Sequence, residues 1–293
     1  MNLLITGAWT DAKEHIAEIE AMGHQARFLQ QEKDKLPCTY EWVEGVICNG
    51  LFLHHPISRF TNLRYIQLTS AGYDRIPMDE VERRHIEIHN ARGVYSIPMA
   101  EFAIAGVLDL YKDMARFREQ QKRHEWSKNR SIRELAGSKV LIIGCGSVGT
   151  ECAKRFKAFG CRVIGIDLIV RDDCHFDAIK ELQELQAEVK DADVMVLTLP
   201  LTDDTRGLVD REILGSFKGI LVNIARGGVV DQKALEEWDG SAVLDVFEAE
   251  PLEESSSLWE RERMIVTPHN SFVGNGNGRR LREVIISNLR NIG

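Results

Sequence analysis

Short apolar runs alternate with amphipathic stretches along most of this chain. Asn2–Thr6 (NLLIT) reads as a buried strand and residues 12–22 as an amphipathic helix. Further strand-like runs follow at 26–29, 46–48, 65–68 and 86–88. Strands separated by helical stretches predict a small doubly wound α/β unit of roughly a hundred residues. At Pro98 the pattern changes. Residues 98–124 read as one long helix, with proline near its first turn and a basic, polar end. Its wide apolar face (Phe102, Ala103, Gly106, Val107, Leu110, Tyr111, Met114) suits core alone, or core plus a dimer contact. Residues 125–137 are polar apart from Trp126 and read as an arm or linker.

The stretch 139–167, KVLIIGCGSVGTECAKRFKAFGCRVIGID, organises the rest of the chain. An apolar strand at 140–143 runs directly into Gly144, Gly146 and Gly149, the G-x-G-x-x-G spacing of a dinucleotide turn. Gly144 permits the tight turn, Gly146 lets backbone approach a pyrophosphate, and Gly149 lets the following helix pack against the strand. That helix, 147–159, turns its free N–H groups and positive dipole end toward the phosphates. A second strand, 162–166, ends in Asp167, placed to accept hydrogen bonds from a ribose 2′-OH and to repel a 2′-phosphate. NAD is therefore expected over NADP, with Arg171 close enough to oppose that preference. Cys145 reads as a small buried filler rather than a reactive thiolate.

Four more strands are expected at 194–199, 220–224, 242–247 and 264–267, six in all. Helices are expected at 176–189, 210–217 and 232–238, with a last helix at 279–292 crossing back to the first unit.

Composition narrows the class. The 293 residues are 44% hydrophobic, enough for two domains with proper cores. No run approaches the roughly 18 apolar residues of a membrane span, and the start lacks a signal peptide's basic and apolar regions. A cytoplasmic protein is expected. Six scattered cysteines show no C-x-x-C pair and no Cys/His cluster at metal spacing, so neither disulfides nor a metal are expected. A net charge of −8 without a basic patch argues against nucleic acid, and any anionic substrate must be captured by local positive groups.

In open parallel sheets ligands bind beyond the carboxyl ends of the strands. Arg226, Glu250 and His269 all fall just after late strands. With a 2-keto acid as substrate, Arg226 binds the carboxylate and polarises the keto oxygen, and protonated His269 donates to that oxygen. Glu250 favours the imidazolium and orients the ring. Each residue alone has a bland alternative as surface or loop filler. Asp245, inside its strand, needs a partner, which a nicotinamide amide would supply. In the first unit, residues 69–74 leave N–H groups, those of Ala71 and Gly72, to hold an anion, or form a plain turn. Arg92 and Tyr95 in the loop at 90–96 are further candidates to face a ligand. The loop at 49–55, with His54 and His55, reads equally as pocket or packing.

Seven motifs then carry a resemblance: SAGYD (70–74), PMAEF (98–102), GCGSVG (144–149), LPLTDDTRGLVD (199–210), NIARGGVVDQKAL (223–235), LDVFEAEPL (244–252) and TPHNS (267–271). The chain resembles the D-isomer-specific 2-hydroxyacid dehydrogenases over nearly its full length. The resemblance implies an α/β protein of two doubly wound parallel-sheet domains joined across a cleft. A flavodoxin-like substrate domain takes residues 1–97 and 275–293, and a Rossmann dinucleotide-binding domain takes 98–274. It implies an NAD-dependent enzyme acting on a small 2-keto or D-2-hydroxy acid, with Arg226, Glu250 and His269 catalytic. Ser70, Ala71, Gly72, Tyr95 and Arg226 would bind substrate. Besides the glycines, Ser147, Val148 and Asp167 would hold the pyrophosphate and ribose of NAD. Leu199, Pro200, Thr205, Ile224, Ala225, Arg226 and His269 would border the cofactor, and Asp245 would meet its carboxamide. A homodimer through the dinucleotide-binding domain is also implied.

Two departures bear on these expectations. TPHNS replaces the commoner TPHIAG, which bears on the shape of the pocket beside the histidine, and no C-terminal regulatory domain is expected, which argues against an amino-acid-regulated phosphoglycerate dehydrogenase. Glu250 points away from formate dehydrogenases, which place glutamine there. A non-catalytic NAD-sensing corepressor on the same fold is the alternative from another class.

Overall fold

Apolar runs in the first ninety residues pair into one parallel sheet. In the computed structural model, which describes residues 1–292, these are β1 (Asn2–Thr6), β2 (Gln25–Leu29), β3 (Gly45–Cys48), β4 (Tyr65–Leu68) and β5 (Glu87–His89). Helices α1 (Ala12–Ala21) and α2 (Met78–Arg83) lie between them in sequence. The strand order is β2-β1-β3-β4-β5, the flavodoxin-like order, which reverses direction between β1 and β3. β3 and β4 are buried at every position, as strands covered on both faces must be.

The chain divides into two compact units: Met1–Tyr95 with the chain from Gly274 onward, and Ser96–Val273. The second begins with α3 (Ser96–Tyr111) and α4 (Met114–Lys122). The single long helix expected at 98–124 is therefore two. Asp113, in the left-handed region at φ 51°, breaks the ladder between them. Aspartate tolerates that conformation better than most residues, and here its carboxylate accepts a bond from Asn129 at 2.8 Å. Gly106 lets α3 approach the sheet, since a Cβ there would lie 2.7 Å from Val243.

The second sheet holds β6 (Lys139–Ile143), β7 (Arg162–Asp167), β8 (Ala178–Glu181), β9 (Val194–Leu197), β10 (Ile220–Asn223), β11 (Ser241–Leu244) and β12 (Met264–Val266). Helices α5 (Ser147–Ala158), α6 (Leu185–Val189), α7 (Arg211–Ser216) and α8 (Gln232–Glu237) fall between these strands in sequence. All pairs are parallel, in the order β12-β11-β10-β9-β6-β7-β8. That is the Rossmann order with one strand added beyond the sixth.

The expected six strands are seven because 178–181 pairs with β7 instead of opening a helix at 176. Gly165 makes the room. A Cβ there would lie 2.4 Å from the Cys145 sulfur and 3.0 Å from Phe176. Alternate residues fill the two faces: Leu141, Ile143, Leu197, Leu221 and Leu244 on one, Val140, Ile142, Val196, Val222 and Val243 on the other. Each such side chain contributes roughly 1.5–3 kcal/mol by leaving water.

The last helix, α9 (Asn277–Arg290), belongs to the first unit. Leu281, Ile285 and Leu289 recur at helical spacing and pack with Leu3 and Ile5 of β1. Arg282 makes a two-pronged ion pair with Glu18 of α1. Among the described residues no helix is long and apolar enough to cross a membrane.

Candidate active site

The glycine turn after β6 has the geometry its spacing demands. Gly144 takes φ 95°, and a Cβ on it would lie 2.7 Å from the Leu199 nitrogen. A Cβ on Gly149 would fall 2.0 Å from the Gly144 carbonyl oxygen, so only glycine brings α5 this close. Gly146 differs: a Cβ there meets no protein atom within 4 Å. Its missing side chain leaves space free rather than serving packing, which fits backbone approach by a pyrophosphate at the start of α5. Ser147 holds its hydroxyl 2.8 Å from that of Ser96, and Val148 packs into the core. Cys145 is fully buried, and burial pushes its thiol up to about 12.

Asp167 closes β7 and folds back on the turn. Its Oδ2 accepts the Cys145 N–H at 2.6 Å, and its Oδ1 the Ile169 N–H at 3.3 Å. From the loop after β7, the Arg171 guanidinium donates to the Cys145 carbonyl. Acid and guanidinium thus grip the same residue of the turn, a relation absent from the sequence expectation. On that loop the consecutive Asp173, Cys174 and His175 bring ligand-type atoms within 4.8 Å of one another, a grouping the spacing of cysteines gave no sign of.

Beyond β9, Leu199 lies against the turn at Gly144. The buried Thr205 hydroxyl donates to the Pro200 carbonyl at 2.7 Å and accepts the Thr202 N–H, closing the loop on itself. At the end of β10, Ile224 and Ala225 are buried. Asn223 accepts the Ala225 N–H at 3.1 Å and donates to the Arg226 carbonyl at 3.1 Å. Arg226 is half-buried, with one guanidinium N–H on the Ala225 carbonyl at 2.9 Å. Its neighbour Gly227 lies against the loop after β11: a Cβ there would be 1.8 Å from the Phe247 carbonyl carbon.

That second loop carries Glu250, whose Oε1 accepts the Phe247 N–H at 3.1 Å and whose Oε2 lies 2.8 Å from Nδ1 of His269. His269 follows β12 in the left-handed region, φ 51°, unusual for a residue with a Cβ. Asp245 accounts for it. Expected within a strand and in want of a partner, Asp245 instead sits just past β11, fully buried and already satisfied. Its Oδ1 accepts the Thr267 hydroxyl at 2.6 Å and the Asn270 N–H at 2.7 Å; its Oδ2 accepts the Ser271 N–H at 2.8 Å. Its backbone carbonyl takes the His269 N–H at 2.8 Å. One carboxylate thereby pins the loop that bears the histidine.

In the first unit, Asn90 donates to the Ala71 carbonyl at 2.7 Å and the Ala91 N–H to the Ser70 carbonyl at 2.8 Å. The Ser70 hydroxyl donates to the Gly72 carbonyl at 3.1 Å. These bonds use carbonyl groups of the loop. The Ala71 and Gly72 N–H groups have no acceptor among the described residues. The Tyr95 hydroxyl donates to the Thr69 carbonyl, and burial raises its pKa. His55 is buried, 2.9 Å from the Tyr40 hydroxyl and 3.1 Å from the Asp34 carbonyl, which makes it packing.

A parallel sheet with a glycine turn after β6, an acid closing β7 and an imidazole–carboxylate pair past its late strands defines a dinucleotide-dependent oxidoreductase. Residues 104–271 match the family model described as D-isomer specific 2-hydroxyacid dehydrogenase, NAD binding domain. The chain is 30% identical to an (S)-sulfolactate dehydrogenase of Chromohalobacter salexigens, covering 80% of this chain and 79% of that one. It is 32% identical to a glyoxylate reductase of Korarchaeum cryptofilum, over 78% of this chain and 72% of that one. Among solved structures, a D-isomer specific 2-hydroxyacid dehydrogenase family protein of Aeromonas salmonicida superposes with a TM-score of 0.85 at 28% identity. The match covers 98% and 94% of the two chains. The chain belongs to the D-isomer specific 2-hydroxyacid dehydrogenase family, enzymes that use NAD or NADP.

Proposed function

We propose that this enzyme reduces a small 2-keto acid to the D-2-hydroxy acid with NADH, using Arg226, His269 and Glu250. The observation that carries the proposal is the 2.8 Å contact between His269 and Glu250 beside the sheet edge. When bound, the nicotinamide supplies the hydride. Arg226 binds the substrate carboxylate and draws charge from the keto oxygen through its planar donors. His269, anchored through Nδ1, presents Nε2 to that oxygen and gives it a proton. Glu250 holds the ring and balances the imidazolium charge. Asp245 adds a role that does not depend on any ligand: it fixes where the imidazole stands.

In cofactor binding, Gly144, Gly146, Ser147, Val148 and Gly149 serve the pyrophosphate and Asp167 the ribose. Leu199, Pro200, Thr205, Ile224 and Ala225 border the nicotinamide half, with Asp245 within the same strand-end layer. The first unit acts as the substrate domain, where the N–H groups of Ala71 and Gly72 hold the carboxylate. Ser70 and Tyr95 shape that loop. Glyoxylate and sulfolactate are named for the relatives, and small 2-keto acids of that size are the substrate class proposed. A homodimer through the second unit is part of the proposal, supported by Trp126, Met114 and Ile132, which are 100%, 41% and 43% exposed.

The test is NADH oxidation by the purified protein across a panel of 2-keto acids, beside NADPH and His269→Gln. Turnover of one class of acid that falls about 10²–10⁴-fold in the variant is expected. Cofactor binding with no turnover of any acid would instead favour a sensing role.

A further inference from the structure

Asp173, Cys174 and His175 are consecutive and carry a carboxylate, a thiol and an imidazole. In an extended chain neighbouring side chains point to opposite faces. Here they converge. Asp173 accepts the His175 N–H on its Oδ1 at 2.9 Å and the Phe176 N–H on its carbonyl at 3.0 Å, so the chain turns within the triplet. Beyond it the chain is anchored. Phe176 is buried, and Asp177 donates its N–H to the Val163 carbonyl at 2.8 Å and accepts the Val163 N–H on its carboxylate at 2.7 Å. The turn brings one ligand-type atom from each of the three side chains within 4.8 Å of the others. Asp173 and His175 are half-buried, and Cys174 is exposed. Among the described residues neither the Cys174 thiol nor the His175 ring has a hydrogen-bond or ion-pair partner.

The geometry points to a metal site: Asp173, Cys174 and His175 together bind one divalent cation of the zinc class. Thiolate, imidazole and carboxylate are zinc ligands, and a thiolate disfavours magnesium and calcium. Three protein ligands leave the fourth position to water. Donors around a tetrahedral zinc stand roughly 3.3–3.7 Å apart, so closing on the ion asks each side chain to move by about 1 Å. As the ion binds, the Cys174 thiol gives its proton to solvent and the sulfur lone pair forms the bond to the metal, with no change of oxidation state. The site lies on the loop that leaves Asp167, just past Arg171, whose guanidinium holds the Cys145 carbonyl. It stands apart from the dehydrogenase reading, and neither depends on the other.

The experiment titrates the reduced, metal-free full chain with Co²⁺, whose bond to a thiolate gives a near-ultraviolet charge-transfer band, and then displaces it with Zn²⁺. Cys174→Ser, His175→Ala and Asp173→Asn are run beside wild type, the asparagine keeping an acceptor for the His175 N–H. One Co²⁺ per chain with a thiolate band is expected, lost in Cys174→Ser and displaced by Zn²⁺ but not by Mg²⁺. Loss of even a supporting residue costs about 10- to 100-fold in metal affinity, so His175→Ala and Asp173→Asn are each expected to weaken binding at least about tenfold. Zn²⁺ should also slow the labelling of Cys174 by iodoacetamide in wild type. No thiolate band, or one that persists in Cys174→Ser, overturns the site. So does equal affinity in wild type, His175→Ala and Asp173→Asn, which would mark a lone thiol. Where circular dichroism shows a variant unfolded, the labelling of wild type decides, and Cys174 labelled as fast with Zn²⁺ as without it overturns the site.

Discussion

Oε2 of Glu250 sits 2.8 Å from Nδ1 of His269, and Oε1 of the same carboxylate is tied to the Phe247 backbone. The acid is therefore fixed before it touches the ring, so the ring inherits its orientation. Glu250→Gln keeps an acceptor and removes the charge. A hydrogen bond to a charged group is worth about 1.5–3 kcal/mol, so kcat is expected to fall by roughly 10- to 100-fold. NADH affinity should be unchanged. Steady-state kinetics with a parallel binding titration check this, and an unaltered kcat would remove Glu250 from the mechanism.

Asp245→Asn tests the anchor of the histidine loop. An amide cannot accept from all three donors that the carboxylate serves, and one amide N–H would face another N–H. Leaving a buried donor unsatisfied costs about 1–3 kcal/mol, which a shift in the denaturation midpoint would register. Loss of activity should exceed the loss of stability, because His269 owes its left-handed backbone to this anchor. A fully stable and active variant would contradict it.

Two glycines of one turn are expected to behave differently. Gly149→Ala places a Cβ 2.0 Å from the Gly144 oxygen and should prevent the domain from folding well. Gly146→Ala meets nothing in the protein, so the variant should fold normally yet bind NADH poorly. Circular dichroism and a fluorescence titration separate the outcomes. Tight NADH binding by Gly146→Ala would show that the pyrophosphate lies elsewhere.

Asp167 and Arg171 hold opposite sides of Cys145, its N–H and its carbonyl, and their opposite charges are expected to bear oppositely on a 2′-phosphate. Asp167→Asn retains an acceptor for the Cys145 N–H while removing the charge, so the preference for NADH over NADPH should narrow. Arg171→Ala should widen it. Equal shifts for both cofactors in either variant would point to loosening of the turn alone.

Burial lifts the thiols of Cys145 and Cys152 to about 12, from an ordinary value of 9.0. Both are protonated in the folded protein where the unfolded chain would ionise them. Their contribution to stability is complete below pH 9 and is lost as pH rises toward 12. Denaturation midpoints should therefore fall as pH is raised above 9. At about pH 8, iodoacetamide should label the exposed Cys174 first and leave the buried thiols untouched until denaturant is added.

The glycine spacing was legible because it is a local demand of backbone geometry, and the acid eighteen residues beyond it because one helix and one strand fix that separation. The placement of Arg226, Glu250 and His269 after β10, β11 and β12 was legible from the apolar runs that precede them. The strand at 178–181 was not. Its residues, AIKE, run into leucines at helical spacing, and only pairing with β7 makes them a strand. Asp113 gave no sign of ending a helix, since its left-handed φ depends on packing around it. Asp245 looked like a carboxylate awaiting a ligand because its three donors lie 22 to 26 residues away.

Gly227 has a reach beyond its own position. With its α-carbon pressed on the Phe247 peptide, the loops bearing Arg226 and Glu250 share one backbone contact, and neither can lengthen or shift alone. Drift among descendants of this chain is thereby channelled. The loops bearing Arg226 and Glu250 must be inherited as one piece, and diversity enters at positions outside that contact.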